Sequence, residues 1–533
     1  MRTLGVHSFF FFFFSLICSR AVALGAATQS YRAMASLLPV ILGNALTALA
    51  ALVTLITLYV SSRIAYNIFF HPLRSFPGPF SHRATILPWA YYIATGGLAW
   101  HVAELHERYG PVVRITPNEV SFLEPEAWRD VYTARPSGEY LEKYIPFYRP
   151  AGSSSRSIIS AEKEEHSMVR KLLAPSFSDK AMREVEPTVG RYVDSLLRQV
   201  TKVCDDGKAA VNMRDWYNFT TFDVIGNLAF GEDFGCLEGG DYHPWVAAIV
   251  LSIRENALAL ALSSMLSRPI IRLIAKKAGK GRRKYNTLSH QKLQRRIDRD
   301  SGEPDIIGRL IDKKDELNLS FETLRSNSGA LTIAGSETTA TLLTGVTYLL
   351  LTRPDCLLKV TNEVRSSFQS TQEITFTSVN GLTYMLACLN EALRIYPPAP
   401  HGLPRVTPTG GATIAGTFVP GNNVVSVPTL AMQRSKRYFR LPDEFHPERF
   451  LGDASFAGDR LDAIQPFSLG PRNCIGKPLA YAEMRLILAN ILFSFDLQLA
   501  DDSKNWIDRN KVYFLWLKPD LNVYLTPARS SKS

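Results

Sequence analysis

Apolar residues run without a charged break from Leu37 to Val60. As helix this stretch rises about 36 Å, enough to cross a hydrocarbon core of about 30 Å, so it predicts a transmembrane anchor. Tyr59 and Arg63 suit the interface at its end, and Arg63, Arg74 and Arg83 favour a cytosolic position for the downstream domain. Residues 1–36 form an extension in which Arg2 precedes the apolar run Phe9–Phe14 and small residues fill Ala21–Ala27. That text fits a secretory signal, a short first span, or a leader ahead of a start at Met34. Each option leaves the large domain on the cytosolic side.

The stretch 61–79 contains His71-Pro72-Leu73-Arg74-Ser75-Phe76-Pro77-Gly78-Pro79, whose prolines cannot continue a helix and predict a stiff hinge. From residue 80 to 533 no repeat or low-complexity linker interrupts the pattern, which reads as one domain. Helical periodicity marks Asp179–Val203, Leu324–Leu351, and Val379–Ile395 ahead of Pro397-Pro398. Strand-like text is local, at Ala412–Val419 around Gly416 and at Asn423–Val427. The expected fold is mainly α, a large helical domain with small β-sheets behind a membrane helix.

With 46% apolar and 20% charged residues, the chain carries enough hydrophobic text for a large core. The net charge of +11 is spread out, and its one cluster, Lys276–Lys284, lacks the interleaved aromatics of a strand-binding groove. Nucleic acid is therefore not an expected partner. Six cysteines (Cys18, Cys204, Cys236, Cys356, Cys388, Cys474) show no CxxC pair or Cys/His cluster, which excludes a zinc site and a disulfide scaffold. The sequons at Asn218 and Asn318 should stay unmodified in a cytosolic domain.

The chemistry concentrates in Phe467-Ser-Leu-Gly470-Pro-Arg472-Asn-Cys474-Ile-Gly476. Gly470 and Gly476 permit a tight turn around the sulfur, and the helix from Pro478 to Leu492 brings a positive N-terminal end to it. This segment matches every fixed position of FxxGxRxCxG, and here the chain resembles the cytochrome P-450 superfamily. Other segments fall in the same order: Ala334-Gly-Ser-Glu337-Thr338-Thr339, Glu391-Ala-Leu-Arg394, and Phe445-His-Pro-Glu-Arg449-Phe. The resemblance spans about Pro72 to Pro527. HPLRSFPGP, AGSETTAT and PPAPHGLPR are similar to monooxygenases of filamentous-fungal secondary metabolism.

The resemblance implies heme b with Cys474 as axial ligand to the iron, held in a loop that includes Phe467 and Gly476. It makes Arg472, Arg170, His166 and Arg405 a clamp on the heme propionates. It implies a buried triad of Glu391, Arg394 and Arg449 that braces the loop. It places residues 334–339 in a locally kinked helix over the heme, Thr338 hydrogen-bonding the oxygen to be split and Glu337 relaying protons. The implied reaction is hydroxylation or epoxidation of a lipophilic polyketide, terpenoid or hybrid intermediate with O2, at the endoplasmic-reticulum membrane. No GxGxxG or GxxxxGK[ST] fingerprint is present, so electrons must come from a partner, the NADPH reductase with FAD and FMN. Arg170, Lys171 and Lys477 are candidates for the face that docks it. Alternatives are a reductase-independent heme-thiolate isomerase or dehydratase, and a non-catalytic heme-binding protein. The Glu337-Thr338 pair argues against both. Substrate contacts are expected near Pro136–Ser160, Tyr242–Ile271, Ser326–Ala334, Ala399–Leu403 and Phe514.

Overall fold

The computed structural model describes Pro39 and residues 42–135, 140–149, 156–266, 280–299 and 305–528. The extension 1–36, the first residues of the predicted span, residues 276–279 of the basic cluster and residues 136–139 and 150–155 lie outside these. The chain divides into two compact units, Met1–His71 and Pro72–Ser533. The boundary falls at Pro72, which forbids continuation of the preceding helix; residues 61–70 of the stretch expected to be a hinge belong to that helix.

In the first unit helix α1 (Leu42–Phe70) is long and apolar enough to cross a membrane, and its span-length window buries none of its side chains. Its last turn, Tyr66–Phe70, is π-helical and stops at His71, whose backbone is extended. A second helix, Pro244–Met265, passes the same test of length and composition. It differs in burying a stripe of Trp245, Ile249, Ile253, Ala257 and Ala261 at four-residue spacing, which is the inward face of a domain helix.

Six helices of the second unit position the site: α2 (Lys163–Leu173), α3 (Asp179–Val203), α4 (Met213–Phe230), α5 (Phe321–Leu351), α6 (Thr383–Ile395) and α7 (Lys477–Ser494). Helix α5 is central. Twenty of its side chains are buried, including every residue from Thr339 to Leu350, and it packs along α4, α6 and α7. A helix covered on nearly all sides along half its length belongs to the core of the unit. Ser320 caps its start by accepting the Thr323 N–H at 3.1 Å. The sequon residue Asn218 is buried in α4 and donates to Tyr242 Oη at 2.8 Å, so the folded chain offers it to no glycan.

Strands β1 (Val112–Thr116), β2 (Glu119–Phe122), β3 (Glu142–Lys143), β5 (Arg405–Val406) and β8 (Val424–Ser426) form one sheet in the order β1-β2-β8-β5-β3. Only β2 and β8 run parallel within it. Strand β4 (Ala210–Asn212) joins β12 (Asn522–Pro527) and β9 (Phe495–Leu499). A hairpin of β6 (Ala412–Ile414) and β7 (Thr417–Val419) turns at Ala415 and Gly416, both at positive φ. Strands β10 (Lys511–Val512) and β11 (Trp516–Leu517) form a final pair. The fold is mainly α with small sheets.

Candidate active site

The Cys474 loop is held from three directions. Cys474 N–H donates to Phe467 O at 2.9 Å, and Asn473 N–H to Gly470 O at 3.1 Å. Gly470 sits at φ +73°, and a Cβ there would come within 2.1 Å of Tyr132 O. Only glycine meets both conditions. The expectation for Gly476 needs correcting. It lies at φ −85°, and an added Cβ would meet only Phe177 at 3.7 Å, an ordinary contact. Its contribution is as the cap of α7 and through its N–H, which points at the Cys474 sulfur.

Cys474 is exposed, although protein surrounds its thiol closely; Cys204, Cys236, Cys356 and Cys388 are buried. Its close surroundings push the thiol upward, opposed by the Gly476 N–H and the charges of Arg170 and Lys477. Arg170 on α2 donates to Asn473 O at 2.7 Å and to Asn473 Oδ1 at 2.6 Å. It therefore grips the loop beside the sulfur, and is not a free docking charge. Lys171 and Lys477 are exposed.

Glu391, Arg394 and Arg449 meet with no exposure at all. Arg394 donates from Nε and Nη2 to the two Glu391 oxygens at 2.8 and 2.7 Å, and its Nη1 reaches Gln433 O at 2.8 Å and Pro442 O at 2.7 Å. Arg449 Nε lies 3.2 Å from Glu391 Oε2. The sequence gives no hint of the fourth member, Asp459, which pairs with Arg449 and accepts the Arg440 N–H at 2.8 Å. Two carboxylates then balance two guanidiniums in a place where a net charge would be costly.

A second buried group is unbalanced. Lys143 on β3 stands directly opposite Arg405 on β5, a cross-strand pairing of like charges that by itself destabilises a sheet. Arg405 is 2% exposed, and its Nε and Nη1 make no hydrogen bond. Arg472 donates from Nη1 to Ala161 O at 2.8 Å, while its Nε and Nη2 have no hydrogen-bond partner. The nearest carboxylate to Arg472, Glu142, is half exposed and 3.8 Å away. Burial, with Arg405 and Arg472, drives Lys143 well below the usual lysine range. Burial, then Arg472, Lys143, Arg170 and Arg405, pushes His166 down to about 3.

Donors and positive charges gathered in this way suit a pair of negative groups. The two propionates of a heme lying against Cys474 fit that demand, so the residues suit the cofactor the family implies. Sequence reasoning missed Lys143, because nothing in its spacing ties it to the loop. We expect Arg405→Gln to shed heme several-fold faster, read as heme per protein after gel filtration. The heme-free protein should be no less stable, since one of the crowded, mutually repelling cations is gone. Unchanged retention would remove Arg405 from the clamp.

Helix α5 carries the remaining residues. It runs unbroken through the stretch expected to kink. Thr338 Oγ1 donates to Ala334 O at 2.7 Å, a back-bond that satisfies the hydroxyl without opening the helix. Ala334 is exposed and Thr338 half-exposed in the middle of a buried helix, which marks the open side. Gly335 is needed for a different reason: a Cβ there would meet Ile225 at 2.8 Å, across the packing with α4. Glu337 and Thr339 are buried, and Glu337 pairs with Lys518, a residue no motif singles out.

Comparison with known proteins agrees with this arrangement. The sequence model described as cytochrome P-450 matches residues 77–525. A cytochrome P-450 monooxygenase of Talaromyces stipitatus is 45% identical, covering 90% of this chain and 95% of its own length. One of Neocamarosporium betae is 42% identical, over 93% and 99%. A trichothecene C-15 hydroxylase of Fusarium sporotrichioides is 42% identical, over 88% and 96%. The Cys474 loop, the buried ionic brace and these matches along almost its full length make the chain a member of the cytochrome P-450 monooxygenase family.

Proposed function

We propose that this monooxygenase inserts one atom of O2 into a lipophilic polyketide, terpenoid or hybrid intermediate, by hydroxylation or epoxidation. Its electrons come from a membrane-bound NADPH reductase carrying FAD and FMN. The observation that carries the reading is the open Cys474 residue beside buried guanidinium nitrogens of Arg405 and Arg472 that lack acceptors. Bound heme supplies the activation of oxygen, and thiolate ligation favours cleavage of the O–O bond. The rest belongs to the chain. Cys474 is the iron ligand, its charge stabilised by the Gly476 N–H and the N-terminus of α7. Arg405, Arg472, Lys143 and His166 hold the propionates, and Arg170 steadies the loop through Asn473. Thr338 presents its hydroxyl to the open side of α5, and Glu337 is its proton source. No CxxCH pair exists to tether a heme through thioethers, which supports heme b.

The lipophilic substrate class draws support from the relatives and from the lining. Two segments expected to touch substrate meet at Phe147 and Phe514, whose rings pack edge to face at 5.4 Å. Expression with a reductase, followed by mass spectrometry of products from lipophilic intermediates, tests the reading. Product heavier by one oxygen, formed only with NADPH and reductase, is the expected result. Conversion without them would establish the isomerase or dehydratase alternative.

We place the enzyme on the endoplasmic reticulum, anchored by α1 with the catalytic unit in the cytosol. Deleting residues 1–62 should release part of the protein from membranes and leave heme incorporation intact. Release should be incomplete, because Leu251, Leu258, Leu262 and Met265 expose apolar surface on the helix Pro244–Met265. A full-length protein that fractionates as freely soluble would contradict the anchor.

A further inference from the structure

Glu337 is tied down. Its Oε2 lies 2.5 Å from Lys518 Nζ, and both side chains are only 2% exposed. The same ammonium donates to Thr341 Oγ1 at 2.9 Å, one turn further along the same face of α5. Lys518 belongs to the segment between β11 and β12. Its carbonyl accepts Arg214 Nη1 at 3.1 Å. Arg214 in turn pairs with Asp215 and with the exposed Asp520. One end of this short segment is thus fixed at a charged surface, while its side chain reaches inward to α5. A further titratable neighbour of Glu337 among the described residues is Tyr396, whose phenol burial drives well upward and which donates to Asn510 Oδ1 at 2.7 Å. It does not compete for the carboxylate's charge.

An ion pair this dry adds little stability beyond what apolar residues of equal volume would give. What it does fix is direction. With Ala334 and Thr338 open and Glu337 buried, the paired carboxylate is turned from the side where Thr338 works. We propose that Lys518 is the positioning residue of the proton relay, a latch that holds Glu337 at the Thr341 face between deliveries. For each delivery the carboxylate leaves the ammonium, takes one proton from solvent, and turns to pass one proton toward Thr338. Glu337 then returns to Lys518, having gained one proton and passed one on, so the cycle balances. This inference rests on the assignment of Glu337 as proton source.

The test uses the full-length protein with reductase and the variants Lys518→Gln, Lys518→Arg, Glu337→Gln and Lys518→Met/Glu337→Gln. Lys518→Gln keeps a donor for both partners and removes only the charge. A buried carboxyl without its cation prefers the neutral form. Infrared spectra of the resting protein should therefore show a protonated carboxyl band in Lys518→Gln that vanishes when Glu337→Gln is added. Turnover per CO-binding enzyme should shift its pH dependence up by at least one unit, with the solvent isotope effect at least doubled. Lys518→Arg should restore the parent profile. The double variant, which strands no charge, should turn over like Glu337→Gln alone. A Lys518→Gln enzyme with the parent's pH profile and isotope effect overturns the latch, whatever its melting temperature. A double variant slower than Glu337→Gln also overturns it. Parent-like turnover in Glu337→Gln would instead remove the relay assignment itself.

Discussion

Glu391→Gln should leave almost no enzyme able to hold heme. The Glu391 carboxylate takes the Nε and Nη2 of Arg394, the Nε of Arg449 and the backbone N–H of His446, all in the buried interior. Glutamine is nearly the same shape but brings no charge, and its amide points two hydrogens at groups that only donate. Removing one partner from a buried pair costs about 3–5 kcal/mol, against a total stability of about 5–15 kcal/mol for a folded protein. Asp459 cannot compensate, because it is already engaged with Arg449 and the Arg440 N–H. Asp459→Asn should be milder, since Arg449 keeps Glu391. Both are read from the yield of heme-loaded protein and from denaturant midpoints. A Glu391→Gln protein with the parent's yield and midpoint would show that the brace does not support the loop.

Thr338→Ala should change where the electrons go more than how fast they flow. The substitution is gentle to the fold. It removes one back-bond to Ala334 O and puts the best helix former into an unbroken helix, so stability should hold or rise. Any functional loss then belongs to the hydroxyl. Splitting O2 needs protons delivered at the right place. Without Thr338 to direct them, oxygen leaves as hydrogen peroxide and the substrate departs unchanged. NADPH oxidation should continue, with most of it recovered as peroxide. Glu337→Ala should instead slow NADPH use. Thr339→Ala is the control, since its side chain is 3% exposed and packs in the core. Thr338→Ala coupling NADPH to product as well as the parent would remove Thr338 from the reaction.

The parts legible in the sequence were those whose signals are local. Asp179–Val203 is read at its observed bounds because Ser178 caps it and its apolar stripe is continuous. The helix expected from Val379 begins instead at Thr383, because Gly381 ends a short 3-10 turn and Glu363 accepts the Tyr384 and Met385 N–H groups from outside the helix. Strands β1 and β2 escaped notice as five- and four-residue pieces. Strands β4 and β12 pair segments some three hundred residues apart, and no local pattern reports that. The site divides the same way. Cys474, Glu391 and Thr338 lie in motifs with fixed spacing. Lys143, Asp459 and Lys518 enter only because folding carries their charges next to those motifs, so a charge count around each buried ion was the missing step.

The most direct test of the account is the spectrum of reduced protein with carbon monoxide. Thiolate ligation by Cys474 predicts the red-shifted Soret band in the parent and in Cys388→Ala, since the Cys388 thiol is buried and pushed upward by that burial. Cys474→Ala should lose that band entirely. A Cys474→Ala protein that keeps it would contradict the assignment of the thiolate and the reading of the site built on it.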